Sequence, residues 1–97
     1  MTPKTKPEEQ KHPYPVGKSV FVRTATSYFT GKLLAVYDQE ILLGAPVAWI
    51  ADTGRFADSL RTGEFSEVEP MLGNVVIGRG AIVDVSEWKH ALPTTQK

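Results

Sequence analysis

The 97-residue chain has no cysteine, no excess of charge and no long apolar run. The absence of cysteine excludes disulfides, thiolate metal sites and cysteine nucleophiles. Eleven basic residues balance eleven acidic ones, so any binding to nucleic acid or to an anionic membrane must be local. No stretch is as long as a membrane span, and the first residues lack the apolar segment of a secretory signal. We therefore expect one small cytoplasmic domain that does not bind membranes.

The chain has little that could carry catalysis or hold a metal. His12 and His90 lie in or near the ends of the chain, without carboxylates at ligand spacing. No serine or threonine has a nearby histidine that would activate it. The glycines around Arg79 are not followed by the lysine and hydroxyl residue of a phosphate loop. We therefore expect a protein that is not an enzyme and that uses no metal or cofactor.

Composition divides the chain into an arm, a domain and a tail. Residues 1–16 carry four of the seven prolines, which favour extended backbone, and they predict a disordered or extended arm. Such an arm is either a solvated leader or a segment that docks on a neighbouring subunit or an anionic partner. Residues 17–90 are predicted to form the folded domain, and residues 91–97 a short C-terminal tail.

The first half of the domain has the patterns of β-strands. Ser19–Thr24 and Tyr28–Asp38 are rich in β-branched and aromatic residues and predict two strands, with a bend or bulge at Gly31. Ile41–Ile50 predicts a third strand. Within it, Pro46 must lie at an edge, a bulge or a break, because proline cannot donate a ladder hydrogen bond.

A short helical insertion is predicted after the third strand. Asp52 or Thr53 is its expected N-cap, and Gly63 is its expected C-terminal stop. Phe56 and Leu60 are four residues apart, so they should share the buried face of the helix. The predicted helix covers Arg55–Thr62.

The most informative stretch is Val75–Val85, an apolar run interrupted by Gly78, Arg79 and Gly80. Glycine weakens the interior of a strand, and arginine is suited to binding planar or anionic groups. The pattern predicts a strand, a tight turn that presents one guanidinium, and another strand. Together the segments predict an all-β fold, a small, strongly bent, five-stranded barrel with a short helical insertion, because a barrel limits exposed strand edges.

Two stretches resemble the motifs of the Sm-like (LSm) family. The second Sm motif is an apolar strand, Arg-Gly, two variable residues and another apolar strand, and it resembles Val75–Val85. The first motif is a Gly-x-Leu strand, a turn opening with Asp and a returning apolar strand. Gly31–Leu33, Asp38 and Ile41–Leu43 resemble that pattern in the same order.

The resemblance implies an Sm-like, SH3-like barrel whose two edge strands pair with neighbouring copies. The expected assembly is a homo-oligomeric ring of five to seven subunits. Single-stranded RNA would bind at its central pore through base stacking and guanidinium contacts. The implied RNA-binding residues are Arg79, Gly80, Asp38 and Gln39.

A narrower resemblance concerns a small Sm-like family encoded by bacteriophages. It rests on Trp49–Phe56 together with Gly78–Ala81, and it would place the protein in the cytoplasm of a bacterial host. The aromatic residues Trp49, Phe56 and Tyr37 are candidates for base stacking or for a subunit interface.

The pattern also departs from RNA-binding members of the family. The turn after Asp38 is only Gln39-Glu40 and lacks their aromatic residue and asparagine. With the zero net charge, this favours an alternative function, a non-enzymatic phage structural or assembly module whose ring binds protein. Arg79 is accordingly either an RNA contact or a structural arginine paired with Asp38 or Asp84.

Overall fold

The computed structural model describes residues 12–97, so the prediction for most of the arm, residues 1–11, lies outside the described residues. Within that range no helix is long and apolar enough to cross a membrane. Six strands and one short α-helix form the domain, which confirms an all-β fold with a helical insertion. Their bounds are β1 Ser19–Thr24, β2 Tyr28–Val36, β3 Glu40–Asp52, α1 Phe56–Thr62, β4 Glu67–Pro70, β5 Val75–Gly78 and β6 Ile82–Glu87.

The strands form one antiparallel sheet in the order β4-β3-β2-β1-β6, and β5 also pairs with β3. β3 is long enough to pair along one side with β2 and along the other with two short strands. Its first residues face β5, and its last residues face β4. The final strand returns to β1, so the chain passes from one end of the sheet to the other between β5 and β6.

The sheet bends where β2 crosses β3. Their ladder shifts register between Thr30 and Lys32, which leaves Gly31 at the bend. A Cβ atom on Gly31 would lie 3.2 Å from Cγ2 of Val47, so the two strands approach closely there. Pro46 belongs to the bulged part of β3 opposite, where a missing N–H group is tolerated. The predictions for Gly31 and Pro46 are both confirmed.

Side chains from both faces of β1 build two hydrophobic clusters, as the alternation of a strand requires. Val20 and Val22 enter an aliphatic cluster, and Phe21 enters an aromatic one. The aliphatic cluster consists of Val20, Val22, Leu33, Ile41, Leu43, Val47 and Ile77. The aromatic cluster consists of Phe21, Ala48, Ile50, Phe65, Val68 and Trp88.

The helix ends as predicted but begins differently. Gly63 follows it in the left-handed conformation, with φ 81°, and donates its N–H to Ser59 O. The predicted N-cap is wrong, because the residue before the helix is Arg55 and no side chain caps the first turn. Asp52 is instead the last residue of β3, and its Oδ1 accepts a hydrogen bond from the N–H of Gly54 at 2.9 Å.

The predicted buried face of the helix is also wrong. Phe56 is 38% exposed and Leu60 is 46% exposed. The buried helical residue is Ser59, whose Oγ donates to the carbonyl oxygen of Thr53. The contacts that hold the helix to the domain therefore include this hydrogen bond and the packing of the Phe56 ring 5.8 Å from that of Phe21.

One strand and the course of the tail differ from expectation. β4 lies between the predicted helix and Val75, where no strand is predicted, and the turn Met71–Asn74 separates it from β5, giving six strands instead of five. The end of the tail lies along β4. Lys97 and Val68 exchange both main-chain hydrogen bonds, each 3.0 Å long, and Lys97 Nζ lies 2.9 Å from Glu64 Oε1.

Candidate nucleic-acid interface at the Arg79 turn

Arg79 opens a single turn of 3-10 helix, Arg79–Ala81, that joins β5 to β6. Its N–H donates to the carbonyl oxygen of Gln39 at 2.8 Å, which extends the β3–β5 ladder by one pair into the β2–β3 turn. A Cβ atom on Gly78 or Gly80 would meet nothing within 4 Å. The surface beside Arg79 is therefore open, and packing does not require these two glycines.

The guanidinium of Arg79 is held by main-chain oxygens. Nη1 donates to the carbonyl oxygen of Tyr37 at 2.9 Å and to that of Asp38 at 3.3 Å. These two contacts bring the β5–β6 turn and the β2–β3 turn together, the two turns that carry the proposed RNA-binding residues. They fix the position of the cation without neutralising it, because carbonyl groups have no net charge.

One of the two alternatives for Arg79, pairing with the side chain of Asp38 or Asp84, is not found within residues 12–97. Asp84 is instead the cross-strand partner of Arg23, which reaches its Oδ1 and Oδ2 from Nε at 3.0 Å. The hydrogen bond from Arg23 lowers the pKa of the Asp84 carboxyl, against a smaller opposing effect of burial. Asp38 contributes only its main-chain oxygen to Arg79.

The described end of the arm covers one face of Arg79. The Tyr14 ring lies over the guanidinium, with its centroid 5.1 Å from Cζ. The His12 ring is 5.4 Å from that of Tyr14 and tilted by 57°, and His12 Nδ1 accepts the N–H of Tyr14 at 3.2 Å. The sequence interpretation missed this contribution, and its only local signal is an aromatic residue between Pro13 and Pro15.

A cavity of about 300 Å³ lies between the arm and the turn. The guanidinium supplies a cation to its wall, and the rings of the arm supply planar surfaces. Nucleic acids offer phosphates and bases that match these two features. The residues lining the cavity are His12, Pro13, Tyr14, Pro15, Arg79 and Val85.

The three aromatic candidates are not gathered at this site. Tyr37 is next to it and is 52% exposed. Trp49 lies on the half of β3 that pairs with β4, 42% exposed, beside the turn between β1 and β2. Phe56, on the helix, packs 5.8 Å from Phe21, and the guanidinium of Arg23 lies over it at 5.6 Å. Only Tyr37 is therefore close to Arg79.

On either side of the Arg79 turn, the outer edges of β5 and β6 pair with no other strand among residues 12–97. Hydrogen-bonded pairs alternate along an antiparallel ladder, so the main-chain groups of Val76 in β5 point away from β3. By the same alternation those of Val85 in β6 point away from β1. The Val76 side chain is 64% exposed and that of Val83 is 63% exposed. A cavity of about 370 Å³ beside β5 is lined by Val76, Tyr37 and the start of β3.

Residues 12–97 contain no group of three or more histidine, aspartate or glutamate side chains that could hold a metal ion. Comparison of the chain with protein-family models, with curated proteins and with solved structures finds no match. The class of the protein therefore rests on its fold, which is a small antiparallel β domain with one short helix.

Proposed function

We propose that the chain is an Sm-like protein that assembles into a ring and binds single-stranded RNA at the central pore. The observation that carries this proposal is the contact between Arg79 and the carbonyl oxygens of Tyr37 and Asp38. It brings together the two turns that the sequence resemblance had identified separately. The result is a positioned cation with no acidic partner among the described residues.

The course of the strands supports an Sm-like barrel. β3 is bent and pairs along one side with β4 and β5, which together act as one strand interrupted by Met71–Asn74. Counted in this way the fold has five strands. The short turn Arg79–Ala81 carries the chain from β5, on β3, to β6, on β1, so the sheet must curve strongly to bring its ends near each other.

The open edges support assembly of this barrel into a ring. β5 and β6 flank the Arg79 turn, and each presents unpaired main-chain groups and one valine, Val76 or Val83, that is more than 60% exposed. Pairing β5 of one copy with β6 of the next covers both edges, and rotational symmetry closes the ring. Every copy then contributes one guanidinium beside the pore, so a chain without net charge forms a local ring of five to seven cations.

RNA would meet the exposed side of these turns. Arg79 supplies donors for phosphate or base edges, and Gly80 leaves the approach open because a Cβ there would touch nothing. Asp38 and Gln39 are exposed at the neighbouring turn and would contact the same strand of RNA. Binding of this kind needs positioning and charge but no chemical step, so the protein is proposed to act without catalysis.

A second function is favoured by a different observation. Several exposed side chains are apolar and lie away from the Arg79 turn, among them Trp49 and Leu72. Apolar exposed surface is typical of protein contacts, and the chain has no net charge to attract RNA from a distance. The alternative is a phage structural or assembly module in which the same ring binds protein.

The two functions are separated by comparing the wild type with Arg79→Ala. Fluorescence anisotropy with a labelled single-stranded RNA measures affinity, and light scattering on the same samples measures ring size. We expect at least tenfold weaker binding by the variant and an unchanged ring, because the described contacts of the side chain, with two carbonyl oxygens and with the Tyr14 ring, all lie within its own subunit. An equal affinity for both proteins, or no affinity in the wild type, would reject RNA binding at Arg79.

A further inference from the structure

The cavity between the arm and the Arg79 turn is lined by aromatic residues, and RNA binding through a circle of Arg79 side chains alone would not require them. Four residues of the arm, His12, Pro13, Tyr14 and Pro15, line it together with Arg79. Tyr14 packs against the aliphatic cluster of the domain, so this part of the arm is attached to the fold. Proline restricts the backbone on both sides of Tyr14, which limits the entropy lost when the rings meet a ligand.

The guanidinium of Arg79 has an unused side facing away from its carbonyl partners. Arginine has five N–H donors in a planar fork, and the two hydrogen bonds to the β2–β3 turn both come from Nη1. Nε and Nη2 donate to no acceptor within residues 12–97. These two nitrogens form the edge that binds phosphate oxygens in a bidentate manner.

We propose that this cavity is a subsite for one nucleotide of the bound RNA. The Nε/Nη2 edge of Arg79 holds the phosphate, and the rings of His12 and Tyr14 support the base. The cavity of about 300 Å³ is at the small end of ligand sites, which span roughly 300–1,000 Å³, so a single nucleotide is the fitting occupant. This subsite rests on the proposed RNA-binding function and assigns the arm a part in it.

The first test compares His12→Ala and Tyr14→Leu with Leu72→Ala, a control at an exposed residue outside the cavity and outside the proposed RNA-binding turns. Affinity for a labelled hexauridylate is measured by fluorescence anisotropy. Stacking of a base on an aromatic side chain is worth about 1–3 kcal/mol, so each arm variant should bind at least about fivefold more weakly. The control should bind like the wild type.

A second measurement removes any doubt about the folding of the Tyr14 variant. The wild-type protein is titrated separately with uridine 5′-monophosphate and with inorganic phosphate, and NMR follows the His12 ring and the Arg79 Nε–H. The nucleotide should shift both signals, whereas phosphate should shift mainly that of Arg79. If the nucleotide shifts the Arg79 signal and leaves the His12 ring signals unchanged, the cavity binds only an anion and the proposal is overturned.

The failures of the two proposals are distinguishable. If hexauridylate does not bind the wild type, RNA binding itself is rejected and the subsite with it. If Arg79→Ala abolishes binding while His12→Ala and Tyr14→Leu bind like the wild type, RNA binding stands and the nucleotide subsite is rejected.

Discussion

The edge of β4 and the edges of β5 and β6 differ in how the fold covers them. Along β4, Val68 has both main-chain groups bonded to Lys97, and Pro70 has no N–H to offer. Along β5 and β6, the exposed valines Val76 and Val83 mark edges that no described strand covers. Uncovered edges are templates for pairing with another chain. The β5 and β6 edges, and not the edge of β4, are therefore the surfaces through which the proposed ring would assemble.

The largest effect is expected from placing charge on the open edges. The double variant Val76→Lys and Val83→Lys puts a cation on each strand, which opposes edge-to-edge pairing. We expect monomers in light scattering for this variant, and the proposed ring for the wild type at the same concentration. Leu72→Lys is the matched control, since Leu72 is fully exposed but belongs to neither edge, and it should leave the ring intact. A double variant that still forms rings would show that other surfaces hold the subunits.

The next effect concerns the packing that positions the tail. Trp88 is 6% exposed and stacks on Phe65 at 5.1 Å, and its Nε1 donates to the carbonyl oxygen of Ala91 at 3.3 Å. Trp88→Ala should lower the free energy of unfolding by about 3–5 kcal/mol, measured by urea denaturation. Trp49→Ala should lower the free energy of unfolding by clearly less than Trp88→Ala, because Trp49 is already 42% exposed. Equal losses would contradict the assignment of Trp88 to the core.

Deleting residues 93–97 tests the cover on β4 directly. It removes the two main-chain hydrogen bonds to Val68, each worth about 0.5–1.5 kcal/mol net, so the free energy of unfolding should fall by about 1–3 kcal/mol. The uncovered edge should also add irregular association, visible as species larger than the wild-type ring. Lys97→Ala keeps the main-chain pair and removes only the exposed contact with Glu64, so it should behave like the wild type. A truncated protein with unchanged stability and oligomer size would contradict a protective role of the tail at the edge of β4.

The smallest effect is electrostatic and depends on pH. The pKa of Asp84 is lower in the folded protein than its ordinary value of 3.8, chiefly through the hydrogen bond from Arg23. The carboxylate therefore stabilises the fold above the ordinary pKa, and this contribution disappears as the pH falls through the folded value. Asp84→Asn should be slightly less stable than the wild type at neutral pH, and thermal melts should show the gap closing as the pH falls below about 4. A gap that widens in acid would contradict the assigned pair.

The sequence predicts the locally determined parts of this fold. β1 has the predicted bounds. Gly31 and Pro46 lie at the predicted irregularity of the β2–β3 ladder, and Gly63 ends the helix as predicted. β4 could not be found in this way, because its four residues include two acids and a proline and its place in the sheet comes from pairing with the distant β3. The prediction of the buried helix face failed for a related reason. The buried residue is Ser59, which forms a hydrogen bond with Thr53, and the spacing of apolar residues does not reveal such a bond.

The candidate site was predicted only in part. The Gly-Arg-Gly pattern is local, so the turn that presents Arg79 could be inferred from it. The partners of Arg79 could not, because its hydrogen bonds go to main-chain oxygens, which every residue has. The role of Tyr14 was missed for another reason. Its neighbours Pro13 and Pro15 indicated a solvated arm, whereas Tyr14 packs on a surface that exists only in the folded domain.

Native mass spectrometry of protein purified without nuclease treatment tests the central claim most directly. It counts the subunits joined through the open β5 and β6 edges and detects bound nucleic acid in the same spectrum. The expected result is a closed ring of five to seven copies carrying additional mass of RNA. A ring without nucleic acid would favour the protein-binding alternative, and a monomer would contradict the assignment of these edges to ring assembly.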